Sequence, residues 1–168
     1  MKYYIKQKVF SFTSQFDITN DRQEPLYHVS GHFMSITNKL ELLNNRGEIL
    51  LRSNRQLFTL LPKYWVYSQN GEVLGTMKKR FSIRPNFDIN FKNHDYRVEG
   101  DFLAHSYVIT DGRENVAYLS KKYFAWGDTY EIDIRDDENL EFWLFVVIII
   151  DQVLFQNRGG VTSSNFNN

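Results

Sequence analysis

Nine consecutive apolar residues, FWLFVVIII at 142–150, stand between Glu141 and Asp151 and constrain this 168-residue chain more than any other stretch. A bilayer crossing takes about 20 mostly apolar residues, so a run this short, bounded by charge, belongs inside protein. A helix apolar all round is a buried helix. Valine and isoleucine in succession would equally suit a core strand, and periodicity does not separate the two. The preceding Asp136-Asp137-Glu138-Asn139 offers helix N-cap residues and charge matched to a helix N-terminus, and Gly159-Gly160 offers a stop. A helix over 139–156 would be about 27 Å long, enough to thread a barrel.

The rest of the chain is patterned for strands. In YHVSGHF at 27–33, Tyr27, Val29 and Phe33 share one face while His28, Ser30 and His32 share the other. YEIDI at 130–134 alternates in the same way with its acids facing out. Asn70-Gly71 and Asp111-Gly112, and more weakly Arg46-Gly47, tolerate the positive φ of tight hairpins. Roughly a dozen strand-like segments joined by short hairpins predict a closed barrel or a sandwich. The 14 Phe, 10 Tyr and 3 Trp favour the same pleated, half-buried surfaces, and packing in core and wall is their first explanation.

An internal repeat sharpens this reading. Phe16-Asp17-Ile18-Thr19, followed by YHVSGHF at 27–33, returns as Phe87-Asp88-Ile89-Asn90, followed by YRVEGDF at 96–102. The parallel continues from NRGEIL at 45–50 to DGRENV at 111–116, then from 64–67 to 130–133. Two similar halves imply a pseudo-twofold β architecture, because one half alone would leave its apolar face in water. The apolar run follows the second half and has no counterpart in the first, which suits it to fill the space the halves enclose.

Several function classes are disfavoured. Cysteine is absent, so there is no disulfide framework, thiolate nucleophile or sulfur-ligated zinc. Lys plus Arg equals Asp plus Glu at 20 each, so no net basic charge draws the chain to nucleic acid, although Trp65 and Trp126 could stack on bases. The N-terminal MKYYIKQK lacks the apolar run of a secretory signal, which predicts a cytoplasmic, at most membrane-peripheral, protein. Hydrolase elbow, Walker loop, zincin and dinucleotide motifs are missing, and the chain is read as non-enzymatic and free of cofactors. Convergence of side chains from separate strands is the one enzymatic route left open.

At SKKYFAWGDTYEIDI, 120–134, followed by VVIIIDQV, 146–153, the chain resembles the LURP-one-related family, its bacterial branch in particular. KVFSF at 8–12 and the glycine-centred 27–33 segment also fit, and the resemblance spans roughly residues 3–156. It implies a mainly β, tubby-like and scramblase-like fold: a closed antiparallel barrel of about twelve strands around a hydrophobic C-terminal helix. On that reading residues 1–156 form a single domain, and 157–168, rich in Asn, Gly and Ser, form a disordered tail. No family catalytic motif is available to carry over.

Two basic clusters are the candidate ligand site: Lys78-Lys79-Arg80 and Lys121-Lys122, whose ammonium and guanidinium groups could meet lipid phosphates. Their competing explanation is solvent-facing charge that protects strands, since neither cluster reaches the four to eight cations of a polybasic lipid site. His28 and His32 share a strand face but stand about 13 Å apart, too far to hold one metal ion together, and no metal is expected. The acidic 133–138 stretch lacks the spacing of a calcium loop. Peripheral binding of anionic phospholipid without catalysis is the function that the family resemblance, together with these clusters, implies; a soluble scaffold for a protein partner is the alternative.

Overall fold

In the computed structural model, which describes residues 1–9, 14–32, 39–82, 86–101, 106–124 and 127–155, the alternating segments are strands. They are β1 (Lys2–Val9), β2 (Ser14–Thr19), β3 (Pro25–His32), β4 (Lys39–Asn44), β5 (Ile49–Arg55) and β6 (Lys63–Ser68). The second half supplies β7 (Val73–Lys79), β8 (Phe87–Phe91), β9 (His94–Asp101), β10 (Ser106–Thr110), β11 (Asn115–Phe124) and β12 (Gly127–Ile134). A 3-10 turn over Asp137–Asn139 leads into α1 (Leu140–Phe155). Each strand pairs antiparallel with its neighbours in sequence, and β1 meets β12 from Lys2 opposite Asp133 to Lys6 opposite Thr129. The barrel is closed, so no sheet edge is left unpaired.

The repeat is visible as a six-strand offset. Phe16 and Ile18 of β2 point inward and are fully buried, as are Phe87 and Ile89 of β8. Val29 of β3 and Val98 of β9 face the same lumen. Between them, Asp17 pairs with His28 and Asp88 with Arg97 on the outer wall. Sequence alternation thus becomes an apolar lining and a polar exterior.

The hairpins differ in detail from those the dipeptides suggest. Gly47, Gly71 and Gly112 take positive φ, but each sits beside a register shift, where a longer turn ends in a bulge. Two successive positive φ values, the mark of a tight two-residue turn, occur at Lys92 and Asn93 instead. That turn lies over the start of α1, where Lys92 Nζ donates to Asn139 Oδ1 at 2.7 Å. A tertiary contact accompanies an uncommon local conformation there.

The apolar run is a helix, and it fills the lumen. Residues 142–150 are at most 3 % exposed. A barrel of this many strands is too wide for its own side chains to fill, whereas a helix about 10–12 Å across with its side chains suits the gap. Phe142 stacks on Phe91 with centroids 3.9 Å apart, and Trp143 meets Phe91 and Tyr96 edge-on. Gly75 of β7 makes room for this layer, because a Cβ there would stand 3.0 Å from the Phe142 ring and overlap the Asn90 carbonyl.

The acidic lead acts differently from a backbone cap. Asp136 makes no side-chain cap bond; its carboxylate accepts from Asn139 Nδ2 and, at 2.8 Å, from the indole Nε1 of Trp143. A wholly buried tryptophan needs such an acceptor. Asp137, Glu138 and Glu141 still place negative charge at the positive end of the helix. The expected Gly159-Gly160 stop and the 157–168 tail lie outside the described residues.

Ile148→Asp puts an unpaired charge at the centre of this core and is expected to remove more than about 4 kcal/mol of stability, against roughly 1 kcal/mol for Ile148→Val. Chemical denaturation of both variants checks this; equal midpoints for Ile148→Asp and the parent would contradict the buried helix.

Candidate functional site

The loops after odd-numbered strands gather at one end of the barrel and the loops after even-numbered strands at the other, where α1 also begins. The two ends carry opposite charge. The turns at 20–24, 45–48, 69–72, 92–93 and 111–114, with segment 135–139, hold nine carboxylates and five cations. At the opposite end, Arg55 closes β5, Lys63 opens β6, Lys78 and Lys79 close β7 and Arg80 follows it, with no carboxylate in 55–63 or 78–82 and Asp88 of β8 beside Arg80. Neutral overall, the chain thus gathers carboxylates at one end and, among the described residues between β5 and β7, cations at the other.

The adjacent residues of the first cluster alternate in direction. Lys78 points outward, opposite Lys63 on β6 and Asp88 on β8, while Lys79 follows the inward parity of Gly75 and Met77 and reaches the mouth of the barrel. Arg80 is exposed and lies 3.6 Å from Asp88. Lys63 sits 4.4 Å over the Trp65 ring. Among the described residues, Arg55, Lys63, Lys78 and Lys79 have no carboxylate within ion-pair distance. An open recess of about 430 Å³ lies beside Lys63 and Lys78, floored by Leu60 and Leu61. Strand pairing therefore adds Lys63 to the three cations legible as one sequence cluster, while Arg55, opposite the buried Tyr64, shares the inward parity of Lys79 at the same end.

The second cluster is elsewhere. β11 is four strands from β7, and Lys121 shares the inward parity of the buried Ala117 and Leu119. It faces the last turns of α1, where its charge acts on Asp151. The side chain of Lys122 lies outside the described residues. The structure thus does not bring the two clusters into one surface.

Asp151 is the acid of the barrel interior. It is 7 % exposed, and burial raises its pKa from 3.8 to about 7, against the opposing pull of a hydrogen bond from Tyr130 and the charge of Lys121. Nearby, the wholly buried Tyr107 donates to the Val147 carbonyl at 3.4 Å, and burial raises its phenol pKa. The adjoining void, lined by Ile5, Phe16, Leu119, Tyr130, Val147, Ile148 and Asp151, is only about 10 Å³. That is no more than the space of one water.

Other candidates also find places. His28 Nδ1 is 2.9 Å from Asp17 Oδ1 on the outer wall; the His32 side chain and His105 lie outside the described residues. Trp65 Nε1 donates to Gln56 Oε1 at 3.1 Å, while Trp126 is not described. At the far end Tyr27 donates to Glu141 at 2.9 Å, and burial, then that bond, raises its pKa. Among the described residues no three potential metal ligands cluster, and no helix is long and apolar enough to cross a membrane.

The family model for LURP-one-related proteins matches residues 1–151, the barrel and most of its helix. The chain belongs to the LURP-one-related family. One relative is the uncharacterized protein YxjI of Bacillus subtilis (strain 168), 29% identical over 155 residues, which cover 92% of this chain and 94% of YxjI. The X-ray structure of an Arabidopsis thaliana protein superposes with a TM-score of 0.63 at 20% identity, covering 90% of this chain and 91% of that one. The closed twelve-strand barrel around a C-terminal helix is therefore shared at low identity, as the family resemblance implies.

In this LURP-one-related barrel, Asp151 makes stability depend on pH. With its folded pKa near 7 above an ordinary 3.8, the folded state retains a proton that the unfolded chain releases between those values. The contribution is complete below about pH 4 and is lost as pH rises through 7. Asp151→Asn mimics the protonated carboxyl, so it should melt several degrees above the parent at pH 8, with the gap narrowing as pH falls from 7 and closing only below about pH 4. Melting curves across that range check the sign; a constant offset would show that Asp151 does not titrate there.

Proposed function

We propose that the protein is a non-enzymatic, membrane-peripheral module that binds anionic phospholipid head groups through Lys78, Lys79 and Arg80, aided by Lys63 and Arg55. The observation that carries this reading is the direct cross-strand pairing of Lys63 with Lys78. Like charges placed opposite each other cost a sheet stability, and elsewhere on the wall Lys2 lies opposite Asp133 and donates to Glu131, and Arg52 lies opposite Glu41. On its other side Lys78 lies opposite Asp88, which Arg80 approaches to 3.6 Å, so one carboxylate serves Lys63, Lys78 and Arg80, and the surplus of cations suits an anionic ligand. Phosphate oxygens supply the missing charge, each cation near an anionic surface being worth about 1 kcal/mol. Lys121, turned toward Asp151, stands apart from this surface, so the proposal rests on the β7 rim.

Sedimentation with phosphatidylserine-containing vesicles tests it. Binding should fall as salt rises from low to physiological, and the double variant Lys78→Gln with Arg80→Gln, which sets no new acid against Asp88, should weaken it at least about tenfold while melting close to the parent. Unchanged binding by the folded variant would exclude this rim. A parent that ignores every vesicle, yet keeps a protein partner through washing, would favour the scaffold reading.

A further inference from the structure

The basic rim is capped by an apolar tip. Of the six large hydrophobic side chains exposed among the described residues, four lie here: Leu57, Phe58 and Leu60 on the β5–β6 loop and Phe81 just after β7. Phe58 is fully exposed, Leu60 is 97% exposed and Phe81 91% exposed. Phe58 also has φ +58, a left-handed conformation that is unfavourable for a bulky residue. A phenylalanine both strained in backbone and bare to water gains nothing from the fold. Such local costs without packing return mark functional positions.

The tip is held in place. Gln56 N donates to the Lys63 carbonyl at 2.7 Å, and Thr59 Oγ1 to the Gln56 carbonyl at 3.2 Å. Trp65 ties the Gln56 side chain to the wall, and Lys79 N donates to the Pro62 carbonyl at 2.9 Å, joining the two strand ends that carry the loop and Phe81. Insertion would therefore need little new ordering of the loop. Apolar residues at the centre with cations around them match, layer for layer, the acyl region and phosphate plane of an anionic bilayer. The carboxylate-rich end lies at the far side of the barrel, so repulsion favours the same orientation.

We infer that the Leu57–Leu60 tip and Phe81 insert into the interfacial layer of an anionic phospholipid bilayer, with the barrel standing on its basic end. This rests on the head-group reading above and adds depth and orientation to it.

The chain contains no cysteine, so single labels are specific. Phe58→Cys and, near the opposite end, the exposed Val73→Cys can each carry a nitrobenzoxadiazole fluorophore. On phosphatidylcholine vesicles containing phosphatidylserine, the Phe58 probe should shift to the blue and be quenched by spin-labelled acyl chains, while the Val73 probe should stay in water. The unlabelled double variant Phe58→Ser with Leu60→Ser should melt like the parent and bind at least about tenfold more weakly at physiological salt. Sedimentation with an unshifted Phe58 probe would overturn insertion and leave head-group binding standing. A shift at Val73 instead would overturn the orientation. No sedimentation of the parent would remove both readings.

Discussion

A closed wall of twelve strands encloses more space than its inward side chains can occupy, and an empty lumen would forfeit dispersion contacts around its whole lining. The burial of α1 removes that problem. The dependence runs both ways, because a helix with no polar face has no stable place in water. Its ends nevertheless carry groups that must be satisfied. Asp136 takes the indole of Trp143 at the entry, and Tyr130 with Lys121 meets Asp151 near the exit. These contacts set how far the helix sits along the barrel, since sliding by one turn would pull both polar groups away from their partners.

The same placement gives a physical account of the charge polarisation. Carboxylates crowd the end where the helix begins and cations the end toward which it runs, each complementary to the helix dipole. That accounts for the sign of each end. It does not account for Lys63 lying opposite Lys78, or for Phe58, Leu60 and Phe81 standing bare beside them. Asp88 opposite Lys78 and the Trp65 ring under Lys63 offset part of the charge cost, but the apolar tip has no such partner among the described residues.

The fold was largely legible in the chain because its causes are local and repeated. Alternation assigns each strand a wet and a dry face, the duplicated FDI and glycine-centred segments imply two six-stranded halves, and the unpaired apolar run needs an enclosure. The hairpins were less legible. Glycine marks where positive φ falls but not which turn surrounds it, and the tight turn at Lys92-Asn93 coincides with a contact to Asn139, 46 residues beyond Asn93 and hidden from local pattern.

The site divides along the same line. The sequence by itself determined that Lys78, Lys79 and Arg80 are adjacent, that β11 alternates, and that an acid ends the apolar run, because these are properties of neighbours along the chain. Parity in β11 already turns Lys121 toward the lumen with Ala117 and Leu119, a signal that charge counting overlooks. Only the tertiary structure decided that Lys63 joins Lys78, that Lys121 answers Asp151, and that an apolar tip and a basic rim share one end of the barrel. Register and closure place residues distant in sequence side by side, and the energies of charge and burial depend on distance in space.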